Sequence, residues 1–278
     1  MSAILCLPQR DAVHVLVDAA VYRRDGILLA NNASKCVAIP TISAAVACVG
    51  PAEFIPMFAY HVGRVFNRFD DVVKYGEKYL PEIFDQVAEE TRGGDASTTL
   101  YIAGWLQDED RGAAYCMELW TDDSSRIAQV MANSRNGEAA KAIRSKLIEQ
   151  RSLCCTPMPG LALLEAAGFA ILDNDDRYDP EVDLLHLMEV QRHDKIEDGY
   201  WVGGKAMLTT INRQGIAQRV LHHWKEDEVG KPIAPPPMNW GAWHAARQSV
   251  KVAELVPDGL SKLQRDRLLK KIKKGTAR

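Results

Sequence analysis

Four residues near the start of the chain have types and an order that can support covalent chemistry: Ser2, Asp18, Lys35 and Gly50. A serine hydroxyl becomes a nucleophile only when a base takes its proton. A carboxylate and an ammonium on neighbouring strands pair with each other, either within a site or as a structural ion pair at the base of a hairpin. A glycine closing a strand either presents a backbone N–H to a close-approaching group or simply turns the chain. Other familiar chemistry is missing from the sequence. It contains no G-x-G-x-x-G, no P-loop, no G-x-S-x-G and no H-E-x-x-H. The seven histidines do not cluster at metal-ligand spacing, and adjacent His222 and His223 face opposite sides of a strand. The six cysteines (6, 36, 48, 116, 154 and 155) include no C-x-x-C, so they read as reduced, mostly buried thiols.

The elements that must position these residues follow from the hydrophobic period. Val13–Val17, Gly26–Ala30, Cys36–Ile39 and Ala44–Val49 read as short strands, with Pro40 and Gly50-Pro51 as punctuation. Phe54, Phe58, Val62, Val65, Phe66 and Phe69 recur at three- and four-residue spacing and predict an amphipathic helix. A second helix is expected over Asp71–Thr91, bent or interrupted at Pro81. After the loop Gly93-Gly94-Asp95, strands are expected at Thr98–Leu106, Ala113–Trp120 and Arg126–Ala132. Helices follow at Glu138–Gln150, Gly160–Ala167 and Pro180–Lys195, and then strands at Trp201–Ile211 and Gly215–Trp224. That order lacks the strict β-α-β alternation of a parallel sheet and predicts a layered α+β domain.

The stretch VHVLVDAAVYRRDGILLANNASKCVAIPTISAAVACVG resembles the N-terminal-nucleophile hydrolases, and among them the proteasome β-subunit and its bacterial relatives. In that family an Asp ends the first hairpin, a Lys precedes a hydrophobic strand, and a Gly follows at the start of the first helix. Asp18, Lys35 and Gly50 occupy those places. The resemblance extends over about residues 2–224, through VGGKAMLTTINRQGI. It implies a four-layer α-β-β-α sandwich, with residues 1–228 as the hydrolase-like domain. It also implies an amide hydrolase or peptidase with Ser2 as nucleophile once Met1 is removed, and no cofactor or metal. The freed α-amine has a reference pKa of about 7.7–8.0 and would act as the base for its own hydroxyl. Lys35 would set a positive charge beside the nucleophile, Asp18 would hold that charge, and the Gly50 N–H would donate to the oxyanion. The sequence departs from the family pattern in three places. Ser stands where Thr is usual; Val202 replaces a hydroxyl in Asp198-Gly-Tyr-Trp-Val-Gly-Gly; and Ser134 is the only counterpart of a mid-chain serine. The alternative function is a catalytically inactive member of the fold serving as a structural or assembly subunit, for example of a virus particle or a large bacterial complex.

The remaining composition bounds the setting. The chain has 278 residues, 47% hydrophobic and 26% charged, with a formal net charge of −3, which excludes a disordered chain. No apolar run is long enough to span a bilayer and no secretory signal is evident, so the expected setting is cytoplasmic, or a virus particle assembled there. Residues 229–257 read as a Pro- and Trp-containing arm, with Trp240 and Trp243 as candidate anchors on a neighbouring subunit. Residues 258–278 carry eight Lys or Arg against two Asp and read as a basic amphipathic helix, leaving an acidic body. The helix reads first as docked on its own domain with its lysines solvated, next as a contact for an acidic partner surface, and last for nucleic acid or membrane. The arm and helix together suggest a homo-oligomer or larger assembly.

Overall fold

The computed structural model describes residues 3–23, 25–50, 53–92, 96–121, 146–197, 199–243 and 245–246. The expected strand Arg126–Ala132, the helix from Glu138 to residue 145, the loop Gly93-Gly94-Asp95, Ser134, Asp198 and the basic segment 258–278 lie outside those residues. Within them the chain is α+β, built on two five-stranded antiparallel sheets.

The first sheet has the order β10-β1-β2-β11-β12, comprising Cys154–Thr156, Ile4–Pro8, Ala12–Asp18, Lys205–Asn212 and Gly215–His223. The second has the order β5-β6-β7-β8-β9, comprising Cys36–Ile39, Ala44–Val49, Ser97–Leu106, Arg111–Trp120 and Ile148–Gln150. A small hairpin, β3 (Val21–Tyr22) with β4 (Leu28–Ala30), stands between β2 and β5 in the chain. The helices are α1 (Phe54–Val65), α2 (Phe69–Arg92), α3 (Leu161–Ala166) and α4 (Asp183–His193).

Of the four apolar clusters among the described residues, three join the sheets and helices. Phe54, Phe58 and Val62 of α1 and Leu80, Phe84 and Val87 of α2 cover Val46, Leu100, Ile102 and Met117 of the second sheet. Leu184, Leu187 and Met188 of α4 and Leu164 of α3 cover Leu5, Leu7, Leu16 and Leu208 of the first sheet. Ile4, Cys6, Val13, Val15 and Val17 of the first sheet share a third cluster with Ala45, Ala47, Tyr101, Ala103 and Trp105 of the second. Alternate residues of one strand therefore go to different clusters: Leu5 and Leu7 to the helical side, Ile4 and Cys6 to the other sheet. Burial on both faces explains why these strands are continuous apolar runs instead of an alternating pattern.

The structure corrects several sequence expectations. Helix α2 continues through Pro81 without interruption, because Leu80, Ile83, Phe84 and Val87 on either side are buried against the sheet. Ile148–Gln150 is a strand paired with β8 where a helix end was expected. The strands Ile4–Pro8 and Cys154–Thr156 are additional. None of the helices among the described residues is long and apolar enough to cross a membrane.

Candidate functional site

Asp18 ends β2 and is completely buried, and its position there follows from register. Strand β2 lies between β1 and β11, with Val17 opposite Ile4 and Asp18 opposite Ala206. Its carboxylate is surrounded by donors. Oδ1 accepts from the Ala3 N–H at 3.0 Å and from the Lys35 ammonium at 2.7 Å. Oδ2 accepts from the Ala20 N–H at 3.1 Å and from the Gly203 N–H at 3.4 Å. The Asp18 N–H donates to the Ala3 carbonyl at 3.3 Å, so the backbone at residue 3 is tied to Asp18 twice. A buried ionised carboxylate requires this degree of compensation.

Lys35 stands just before β5 and is 6% exposed. Its Nζ lies 5.8 Å from the centroid of the Tyr22 ring as well as on Asp18. The hairpin β3–β4 supplies that ring, and burial together with the nearby Asp18 charge drives the Tyr22 phenol far above its ordinary range. The ammonium is thus fixed by a carboxylate on one side and an aromatic face on another. A cation held in this way stabilises negative charge developing beside it and favours the neutral form of a neighbouring amine.

Gly50 follows β6 at the same end of the strands. A Cβ added there would stand 3.1 Å from Thr98 Oγ1 and 3.4 Å from Thr98 Cβ, so glycine lets the chain lie close to the start of β7. The Thr98 hydroxyl donates to the Val49 carbonyl at 3.1 Å. Cys48, two residues before Gly50, is buried, which pushes its thiol up to about 12 against the opposing effects of a Thr98 hydrogen bond and the Lys35 charge. Cys48, which feels the Lys35 charge, is a residue that the sequence did not single out.

The loop Val202-Gly203-Gly204 bonds to the end of β2. Ala19 N–H donates to the Gly203 carbonyl at 3.1 Å, while the Gly203 N–H reaches Asp18. Gly204 has φ +74°, and a Cβ there would lie 2.5 Å from the Asn31 carbonyl oxygen, so this position requires glycine on both counts. Behind the loop, Arg192 of α4 donates to the Val202 carbonyl at 2.7 Å and bidentately to Asp227. Asp227 in turn accepts the Gly204 N–H at 2.7 Å.

Asp18 and Lys35, which the sequence reading put together, are in direct contact, and Gly50 lies beside Thr98 at the start of β7. Ser2 lies outside the described residues, which begin at Ala3. The sequence reading missed the role of β1, of Tyr22, and of the Arg192–Asp227 pair. The short apolar run ILCLP was the available signal for β1. Among the described residues no group of three or more His, Cys, Asp or Glu is arranged to hold a metal ion. A basin of about 1010 Å³ lies at the opposite end of the strands, around Gln9 and Arg10 of the β1–β2 turn and Glu109 and Asp110 of the β7–β8 turn. It has mixed charge and no connection to the Asp18–Lys35 pair.

The Trp240 and Trp243 rings pack on α4, with centroids 5.1 Å from His193 and 5.7 Å from His186 respectively. No family model and no curated protein sequence matches this chain.

Proposed function

We propose that this chain is a proteasome-like N-terminal-nucleophile amide hydrolase, folded as a four-layer α-β-β-α sandwich and acting on peptides or other amides. The observation that carries the reading is the buried carboxylate of Asp18, which binds the Lys35 ammonium and the Ala3 backbone through the same oxygen. An N-terminal nucleophile needs its backbone registered against a fixed cation, and Ala3 is bonded directly to Ser2.

After removal of Met1, the Ser2 α-amine takes the hydroxyl proton as Oγ attacks the amide carbonyl. Lys35 keeps that amine neutral near pH 7 and stabilises the charge that forms. The Gly50 N–H donates to the oxyanion. Collapse expels the leaving amine with the proton, and water hydrolyses the resulting ester. A retained Met1 would place the Ser2 nitrogen in an amide and remove the base.

The second reading, an inactive structural or assembly subunit, is favoured by a different observation. Val202 fills the place of a hydroxyl and is buried, with its carbonyl committed to Arg192. One experiment separates the two. Intact mass establishes whether Met1 is absent, and a peptidyl β-lactone tests for a nucleophilic hydroxyl. The hydrolase reading requires loss of Met1 and one covalent adduct on Ser2 that Ser2→Ala and Lys35→Met abolish. A retained Met1, or a mature chain that takes no adduct and cleaves no amide, supports the structural subunit.

A further inference from the structure

Two cysteines face each other across the first sheet. Strands β1 and β10 are antiparallel, and their register sets Cys6 directly opposite Cys154. Both belong to the apolar cluster between the sheets, so both side chains leave the sheet on the same side. Directly opposed residues of an antiparallel pair have Cα atoms about 4.5–5.5 Å apart, within the roughly 4.4–6.8 Å that a disulfide spans. Cys155, next in sequence, points to the helical side, into the cluster of Leu164 and Leu187, and does not compete.

The two thiols differ in environment. Their mutual interaction is the leading cause that lowers Cys154 below the ordinary thiol range and raises Cys6 well above it, with burial of Cys6 adding to the rise. Cys154 is half-buried, whereas Cys6 has no exposure. The other thiols of this region are held upward by burial, Cys36 to about 11 and Cys116 to about 11. Cys36 also accepts a hydrogen bond from Thr209, and Cys116 one from Gln150. The more accessible sulfur of the pair is therefore also the one with the most thiolate character, and its buried partner stands directly opposite it in the register.

We propose that Cys6 and Cys154 form a thiol–disulfide exchange site that closes to a cross-strand disulfide on reaction with a low-molecular-weight disulfide such as oxidised glutathione. The Cys154 thiolate attacks one sulfur of the oxidant, whose S–S bond breaks and whose other half leaves as a thiolate. Cys6 gives up its proton and attacks the Cys154 sulfur, displacing the second half of the oxidant as thiolate. The two cysteines lose two electrons and two protons, and the oxidant is reduced to two thiols. The product fastens β10, an edge strand of three residues, to the strand that leads from Ala3 and the Asp18 carboxylate. This inference does not depend on the hydrolase reading.

The test uses the full chain under native conditions, with intact mass and peptide mapping before and after oxidised glutathione. The expected product is about 2 Da lighter, retains no glutathione, and yields one linked pair of peptides containing Cys6 and Cys154. In Cys6→Ser the reaction should stop with glutathione on Cys154, and in Cys154→Ser position 6 should not react. Three outcomes would overturn the proposal: all six thiols unchanged, a glutathione adduct that persists in the unsubstituted chain, or a bridge joining a different pair such as Cys116 and Cys154. If Cys6→Ser does not fold, the partly exposed Cys154→Ser variant carries the comparison.

Discussion

Arg192 and Asp227 meet through two hydrogen bonds, at 2.7 and 3.0 Å, where their side chains are 0% and 1% exposed. The pair stands behind the Val202–Gly204 loop and connects it to α4. Arg192 also rests on Trp224, with its guanidinium 4.9 Å from the ring, and reaches Glu226 at 3.1 Å. Removing one partner of such a pair strands a buried charge and costs about 3–5 kcal/mol. Asp227→Ala should therefore lower the unfolding free energy by that order in urea denaturation. Arg192→Met combined with Asp227→Asn should recover part of the loss, because the asparagine oxygen still accepts from Gly204. A double-mutant cycle with no coupling between the two positions would contradict this account.

The Asp18–Lys35 pair predicts an asymmetry. Lys35→Met leaves the carboxylate with three backbone donors, from Ala3, Ala20 and Gly203. Asp18→Asn leaves a buried ammonium against the Tyr22 ring and a neutral amide. Both variants should be destabilised, by roughly 2–5 kcal/mol, with Asp18→Asn the worse. Chemical denaturation that ranked Lys35→Met as the more damaging would show that the backbone donors contribute little.

Glycine substitutions should differ by location. Gly204→Ala combines a left-handed φ of +74° with a Cβ 2.5 Å from the Asn31 oxygen. Gly230 has φ +89° and nothing within 4 Å of an added Cβ. Backbone strain alone costs about 1–3 kcal/mol. Gly230→Ala should stay within that range, and Gly204→Ala should exceed it and shift Tm further downward. Equal shifts would mean that the contact with Asn31 relaxes freely.

His14 supplies a pH dependence. It is buried in β2, with Nδ1 3.0 Å from Thr210 Oγ1, and burial, assisted by the Arg219 charge, lowers its pKa to about 4. The unfolded chain binds a proton at this position near pH 6.5, whereas the folded chain does not until pH 4. The stability it contributes is complete above about pH 6.5 and is lost as pH falls towards 4, amounting to about 3 kcal/mol. Unfolding measured across that window should be less steeply pH-dependent in His14→Gln than in the unsubstituted chain.

Much of the second sheet is legible in the sequence. Cys36–Ile39 and Ala44–Val49 are short apolar runs bracketed by Pro40 and by Gly50-Pro51, and the helical period that follows marks α1 unambiguously. The pairing of Asp18 with Lys35 was expected from the family resemblance of the stretch that holds both. Arg192 was not. Every residue from Leu184 to Arg192 is buried, so α4 has no polar face to give its period away. A cation near a helix end ordinarily points to solvent; the tertiary approach of Asp227 turns this one inward. Strand β10 was illegible for a similar reason. Its three residues form a strand only because β1 offers an unpaired edge. The backbone donors to Asp18 from Ala3 and Gly203 leave no trace in residue type at all.

The topology of the first sheet has a consequence for how the protein comes to be folded. Strand β2 is paired with β1, its neighbour in sequence, and with β11, which begins at Lys205. The entire second sheet intervenes between them in the chain. During synthesis the N-terminal hairpin therefore waits, without its second neighbour, until residues 205–212 have been made. The Gly203 donor that completes the Asp18 carboxylate arrives just before those residues. Closure over so long a separation is slow and forms no early local nucleus. The donor set of Asp18 is accordingly completed among the last features of the domain, and the nascent chain carries an exposed apolar hairpin until then.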